Sequence, residues 1–456
     1  GVGSSNCLPK TAWPPTLIIG ANHAGIAAAN VLLDEYEGHE VVLIEKNDNI
    51  SYVGAGTALW VAREVENRND LFYTESKDFE DKGARILMET TVDRVDYDNK
   101  VVHAIRKDGE AVEESYDKLI LATGSKPIEP NVPGKDLDGI HFLKLFQEGQ
   151  AVDEELNSDK IEKVAVIGAG YIGVEIAEAI QRRGKQVLLF DAMSTSLSNY
   201  YDEEFAQLMD KNLADNGLDL HFGELAEAYE GEEGRVKAIK TNKGHYDVDL
   251  VVNAIGFRPN NDLGQDHLEL FANGAYLVDR HQQTSDPDVY AIGDCATVYS
   301  NALQDTAYIA LASNAVRSGI VGGHNVAGTD LEHVGVQGSN GISIFGLNLV
   351  STGYSIKACQ RFGIDVDYVE HEDVQKSPYM SDNETVKIRI VFEKGTRRIV
   401  GAQIASRYDM SATIHMFSLA IQQKVTIDTL KLTDIFFLPH FNQPYNYITM
   451  AALKAK

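Results

Sequence analysis

Cysteine is scarce in this chain of 456 residues: there are three, Cys7, Cys295 and Cys359. They are widely spaced, with no Cys-x-x-Cys and no Cys/His ligand cluster. That excludes a disulfide framework and gives no support to a metal site, so none is expected. Basic charge is short as well. Lys and Arg number 41 against 68 Asp and Glu, a net charge of -27, and no basic stripe stands out. A nucleic-acid partner is therefore not expected, and the acidity reads as a solvated surface. No apolar run approaches the roughly 18–20 residues a membrane helix needs. The N-terminus lacks the charged-then-apolar order of a signal peptide. A soluble protein of the reducing cytoplasm is the expectation. The first sixteen residues, "GVGSSNCLPKTAWPPT", are rich in Gly, Ser and Pro. They read as an altered leader, and Cys7 is left out of the chemistry with them.

What is present is the balance of a globular enzyme, 44% hydrophobic and 24% charged, long enough for about two to four domains. Two stretches share one layout. In "TLIIGANHAGIAAANVLLDEYEGHEVVLIEKN" an apolar run ends at Gly20. Then come Gly20-x-Asn22-x-x-Gly25, a small-residue helix, and a second apolar run ending at Glu45. Gly20 permits the tight turn and Gly25 the close packing of helix on strand. The helix N-terminus points amides at a pyrophosphate, and Glu45 falls where an acid accepts from ribose hydroxyls. Asn22 stands where the middle glycine is usual, and alone such a turn is more often ordinary loop. The second stretch, "KVAVIGAGYIGVEIAEAIQRRGKQVLLFDA", carries the unbroken Gly168-x-Gly170-x-x-Gly173, and its next strand ends at Asp191. An acid there holds the adenosine ribose and repels a 2′-phosphate; the plainer alternative is a strand-end cap. No Arg follows Asp191, so a dinucleotide without the 2′-phosphate is expected.

Further stretches return to these units. "YDKLILATGSKP" and "VDLVVNAIGFRPN" are strands running into glycine turns at Gly124 and Gly256. "DVYAIGDCA" sets Asp294 after a strand and before a helix expected over about 310–320, whose positive end suits an electron-rich ring. The last third alternates like antiparallel strands in "GISIFGLNLVSTGYS" and "VKIRIVFEKGTRRIVGAQIAS", with helices after them. Finally, "SYVGAGTALW" reads as a loop entering a helix, with Gly54 and Gly56 flanking the inert Ala55.

Taken together, "GANHAG", "NDNISYVGAGTALW", "ATGSKP", "GAGYIGVE", "AIGFRPN", "AIGDCA" and "FFLPHFNQPYNYITMAAL" resemble the bacterial FAD-dependent NADH oxidases and NADH peroxidases of the disulfide-reductase superfamily, from about residue 17 to the end. Within that family the pattern is most similar to the water-forming NADH oxidases of lactic acid bacteria and streptococci. The resemblance implies an α/β fold: two Rossmann-like dinucleotide-binding domains plus a C-terminal α+β dimerisation domain. Residues 1–125 and 285–334 would bind FAD, 126–284 would bind NADH, and 335–456 would form the interface of a homodimer. It places FAD on Gly20, Asn22, His23, Ala24, Gly25, Glu45, Lys46, Ala122, Thr123, Gly124, Ser125 and Asp294, and on the helix start at Leu311, Ala312 and Ser313. It places NADH on Gly168, Gly170, Tyr171, Ile172, Gly173, Glu175, Asp191, Tyr200 and Gly256. Tyr171 resembles the tyrosine covering the nicotinamide side until NADH arrives. His23 resembles the active-site histidine beside the peroxide, with contact to a phosphate as its plainer role. Pro439, His440 and Phe441 would approach the partner's flavin, with ordinary packing as the alternative.

One position departs from the family. Its loop carries a redox cysteine between the two glycines, whose thiolate cycles to a sulfenic acid; here that residue is Ala55. The resemblance then implies NADH and O2 as substrates but hydrogen peroxide as product. A peroxidase or a coenzyme A disulfide reductase would need the same missing sulfur. A flavoprotein that binds NADH without turnover is the alternative of a different class, against which Asp191 and Tyr171 speak.

Overall fold

The computed structural model describes residues 15–456. Cys7 and nearly all of the leader lie outside the described residues.

The apolar runs form the centres of two parallel sheets. The first has the strand order Val289–Ala291, Lys118–Leu121, Thr16–Ile19, Val41–Ile44, Arg85–Leu87. Its strands are continuous apolar runs because both faces are covered. Leu17, Ile18, Val42, Leu119 and Ile120 are wholly buried. One face is packed by the helices His23–Asp34 and Ala312–Val326. These cross so closely that a Cβ on Gly319 would lie 2.3 Å from the carbonyl oxygen of Ala24, which only glycine avoids. The other face is covered by the antiparallel strands Thr90–Asp96, Val101–Arg106 and Ala111–Ser115.

The second parallel sheet has the order Asp219–Phe222, Gln186–Asp191, Lys163–Ile167, Leu250–Asn253, Ile140–His141. The chain enters and leaves it through one antiparallel ribbon, Ser125–Pro127 against Phe257–Pro259. It then rejoins the first sheet at Val289. The second unit is thus inserted in the first.

The C-terminal part is a five-stranded antiparallel sheet ordered Asn340–Ile344, Leu347–Gly353, Ile399–Ser406, Thr385–Glu393, Val366–Val374. The antiparallel strands expected from the alternation are present. The central strand Ile399–Ser406 is buried along its whole length, because the helix Ser411–Gln422 and the second nucleotide unit take opposite faces. Buried Arg389 fastens that junction through ion pairs of 3.2 Å to Asp202, 3.1 Å to Glu204 and 3.2 Å to Glu370. A charge withdrawn from water requires such partners.

Two expectations are corrected here. The helix expected over 310–320 runs Ala312–Val326. Gly322 and Gly323 look like a stop, but their missing side chains let the helix continue against Ile292 and Ala28. The hairpin Val298–Ser300/Asp305–Ala307 separates Asp294 from that helix. No helix among the described residues is long and apolar enough to cross a membrane.

Candidate functional site

The first glycine loop is tied to its surroundings at each expected residue. Gly20 has φ +107°, and a Cβ there would lie 2.0 Å from the carbonyl oxygen of Ala122. A Cβ on Gly25 would lie 1.9 Å from that of Gly20. Asn22 explains itself: its Oδ1 caps the helix by accepting from the Gly25 amide at 3.1 Å, and its Nδ2 donates to the Ala122 carbonyl at 2.6 Å. A glycine could make neither bond. Glu45 accepts from the amides of Ala21 at 3.0 Å and Asn47 at 2.8 Å. Burial pushes its carboxyl up, against the pull of those hydrogen bonds. The neighbouring Lys46 is exposed, while Ala24 is buried under the helix.

The second loop repeats the construction. Gly168 has φ +105°, and a Cβ on Gly173 would lie 1.7 Å from the Gly168 carbonyl oxygen. Gly170 has nothing within 4 Å of where a Cβ would stand, so the backbone is open there to a close ligand. Asp191 accepts from the amides of Ala169 at 2.7 Å and Met193 at 2.8 Å. The strand-end cap and the ribose acceptor are therefore not exclusive, since the carboxylate fixes the loop and keeps lone pairs for hydroxyls. Gly256 has φ +118°. Tyr171 opens the helix Tyr171–Arg182, with Tyr200 edge-on to its ring at 4.7 Å and Ile172 exposed beside it.

Between these loops lies the turn Gly54–Gly56, followed by the short helix Thr57–Val61. Gly56 is packed under Leu71, whereas nothing stands within 4 Å of a Cβ on Gly54. Ala55 is exposed at the head of a cleft of about 510 Å3 that Leu59, Glu175, Glu178, Ile342 and Met410 also line. Burial beside Glu178 pushes the Glu175 carboxyl up to about 7. His23 Nδ1 shares a 2.9 Å hydrogen bond with the Tyr73 hydroxyl, and the two rings stack. Burial lowers the His23 pKa, only partly offset by a hydrogen bond to the Tyr52 backbone and by Asp294. Burial thus disfavours the charged form of the ring relative to an ordinary histidine. Asp294 is half-buried, and its desolvation raises its pKa against the nearby charges of Lys144 and His23.

Thr123 Oγ1 donates to the Asn260 carbonyl at 2.7 Å, fixing the turn before Gly124 and Ser125. Leu311 is the N-terminal cap of its helix and contributes no side-chain bond. The first-turn amides of Ala312 and Ser313 stay open at an exposed end. Phe441 is 55% exposed and is not among the residues lining the cleft.

Lys144 was missed. It is a half-buried lysine whose Nζ donates to the Ser125 carbonyl and, at 3.0 Å, to Ser125 Oγ. Its pKa is lowered by burial, against the pull of Asp294 and Glu148. It comes from an irregular stretch with no motif, so no sequence signal marked it. Among the described residues no group of three or more His, Cys, Asp or Glu is placed to hold a metal ion.

The donor sets fit the implied groups. Two backbone turns that only glycine can form each stand beside a strand-end carboxylate, Glu45 or Asp191, and Asp294 and Lys144 lie near enough to act on each other's charge. The arrangement matches the model of the pyridine nucleotide-disulphide oxidoreductases over residues 14–319 and their dimerisation domain over 341–446. An NADH oxidase of Lactococcus lactis subsp. cremoris is 62% identical over 443 residues, covering 96% of this chain and 99% of that protein. One from Streptococcus pyogenes is 52% identical over 453 residues, with the same coverage. Among solved structures, the water-forming NADH oxidase from Lactobacillus brevis bound to NADH superposes with a TM-score of 0.94 at 36% identity, covering 97% of this chain and 98% of that one. A family match over more than half the chain, with relatives this similar along nearly their whole length, means that the chain belongs to the pyridine nucleotide-disulphide oxidoreductases, among the bacterial NADH oxidases.

Proposed function

We propose that this chain is an FAD-dependent NADH oxidase that reduces O2 only as far as hydrogen peroxide. When bound, FAD supplies the two-electron chemistry between NADH and O2. The chain's own residues bind and orient. In this reading Glu45 and Asp191 hold the two adenosine riboses, and the helix starts at His23 and Tyr171 take the diphosphates. Asp294 takes a ribityl hydroxyl, and the open amides of Ala312 and Ser313 face the electron-rich end of the flavin ring. The His23 ring, held by Tyr73, orients a hydrogen bond toward peroxide.

Ala55 carries the product assignment. In this reading, reducing peroxide to water takes a thiolate that attacks one peroxide oxygen, expels the other as hydroxide and itself becomes a sulfenic acid, and a methyl group cannot do this. Neither other described cysteine replaces it. Cys295 is wholly buried, with Sγ 3.3 Å from the Ile292 carbonyl oxygen, and burial raises its pKa. Cys359 is wholly buried in the C-terminal core, its thiol pushed up to about 12. The same reading gives the domain limits 1–125 with 285–334, 126–284 and 335–456. It also makes the protein a cytoplasmic homodimer through its C-terminal third.

The test is the product balance. NADH consumed, O2 consumed and peroxide formed are measured for the parent and for Ala55→Cys. The parent is expected to give about one peroxide per NADH, and Ala55→Cys to give mainly water, since Ala55 is exposed and lines the cleft. Water as the parent's main product would overturn the argument.

A further inference from the structure

The Tyr171 side chain is fastened at its tip, and the fastening belongs to a different part of the fold. Its ring follows the cap residue Gly170 at the mouth of the second glycine loop. A dinucleotide crossing the C-terminal ends of the strands must pass there. The Tyr171 hydroxyl donates to Oδ1 of Asn340, the first residue of the C-terminal sheet. The amide of Asn340 is oriented by its Nδ2, which donates to the Gly338 carbonyl at 2.8 Å. Two more hydroxyls reach the same oxygen, Tyr201 at 3.3 Å and Ser351 at 3.2 Å. The Tyr201 hydroxyl also lies 3.2 Å from that of Tyr171.

A carbonyl oxygen has two lone pairs, so three donors crowd one acceptor. The crowding has a consequence for motion. A buried acceptor stripped of its donors is costly. When Tyr171 swings away, however, Oδ1 keeps Tyr201 and Ser351 and is not orphaned. Burial raises the Tyr171 phenol well above its ordinary value, so it remains an O–H donor throughout the working pH range.

We propose that Asn340 is a positioning residue that latches Tyr171 across the nicotinamide path, and that the shared oxygen makes the latch easy to release when NADH arrives. This rests on the reading of Tyr171 as the cover of that site. The affinity measured for NADH is the intrinsic affinity reduced by the fraction of molecules with the latch open. The C-terminal sheet therefore takes part in setting the affinity of a site built from the other two units.

The experiment uses the FAD-loaded protein without air. Stopped-flow bleaching of the flavin band against NADH concentration separates the apparent Kd from the limiting reduction rate. Tyr171→Phe removes one oxygen and is expected to lower Kd two- to tenfold, the size of one net hydrogen bond. Asn340→Ala is expected to lower Kd by a similar factor with its limiting rate unchanged. The double variant should fall no further than either single one, because both remove the same bond. Ser351→Ala should act in the opposite sense. With that donor gone, Oδ1 depends more on Tyr171, the latch tightens and Kd rises. Tyr171→Phe with the parental Kd, multiplying effects in the double variant, or a Ser351→Ala shift in the same direction would each overturn the latch. Should Asn340→Ala fail to load FAD, the opposed signs of Tyr171→Phe and Ser351→Ala still decide. A parent flavin that NADH does not bleach would remove the oxidase reading itself, and the latch with it.

Discussion

Replacing Asp191 by asparagine separates the two jobs this carboxylate does. Both of its oxygens already accept backbone amides, from Ala169 at 2.7 Å and Met193 at 2.8 Å. An asparagine has one acceptor oxygen, so one of these amides must face an NH2 group. A hydrogen bond to a charged group is worth about 1.5–3 kcal/mol, and the glycine loop is set by these bonds. Loosening the loop and losing a charged acceptor for the ribose should lower kcat/KM for NADH roughly ten- to a hundredfold. The effect on NADPH has the other sign. A 2′-phosphate about 4 Å from a carboxylate, at an effective dielectric near 20, is repelled by about 4 kcal/mol per pair of unit charges. Screening reduces this, so relief on Asp191→Asn should shift the NADPH/NADH preference on the order of a hundredfold. The assay is anaerobic bleaching of the flavin with each coenzyme at fixed ionic strength. A parent that uses both coenzymes equally, or an unchanged ratio in the variant, would refute the reasoning.

Gly25→Ala is expected to yield protein lacking FAD, because the new Cβ would lie 1.9 Å from the Gly20 carbonyl oxygen; a normal ratio of flavin to protein absorbance would contradict this. Glu175→Gln should stabilise the protein at alkaline pH. The Glu175 carboxyl is raised from 4.5 to about 7, so between those values the unfolded chain ionises first and stability falls as pH rises. Glutamine removes that loss, worth about 3 kcal/mol above pH 7 and nothing below pH 4.5, read from thermal unfolding at the two ends of the window. Glu178, Glu64 and Asp409 face the same cleft. Light scattering should give twice the chain mass of 50.1 kDa. Phe436→Asp, at a side chain 66% exposed in one chain, should give monomer; a stable, active parent monomer would remove the interface assignment.

The parts of the site legible in the sequence are those made by local rules. The glycine turns, the apolar strands before them and the acids after them follow one another within about thirty residues, and the structure forms them so. Asn22 looked like a weakness of the first motif. It is a cap and a cross-strand clamp, because its value lies in Ala122, a hundred residues on. Lys144 and Asn340 left no trace in the pattern for the same reason. Each acts on groups from distant segments, and neither sits in a periodic or glycine-marked stretch. The edge strand Val366–Val374 was also not read. Its residues are mostly part-exposed, and an edge lacks the strong alternation that marks a half-buried strand. The length of the helix Ala312–Val326 was missed because two glycines that end most helices here serve a close crossing.

The insertion of one nucleotide unit within another sets an order of events during synthesis. The strand Lys118–Leu121 pairs with Val289–Ala291, and the helix His23–Asp34 packs on Ala312–Val326. When residue 260 has left the ribosome, the inserted sheet has all its strands, while the outer sheet lacks an edge strand and a covering helix. The contacts that finish it are long-range and slow to close. The inserted unit should therefore be compact first, with the apolar surface of Ala24 and Ala28 waiting for roughly another sixty residues. A chain stalled in that interval would hold a protease-resistant core and a sticky N-terminal sheet. Limited proteolysis of ribosome-bound chains arrested at successive lengths would reveal this as a fragment protected before the N-terminal segment is.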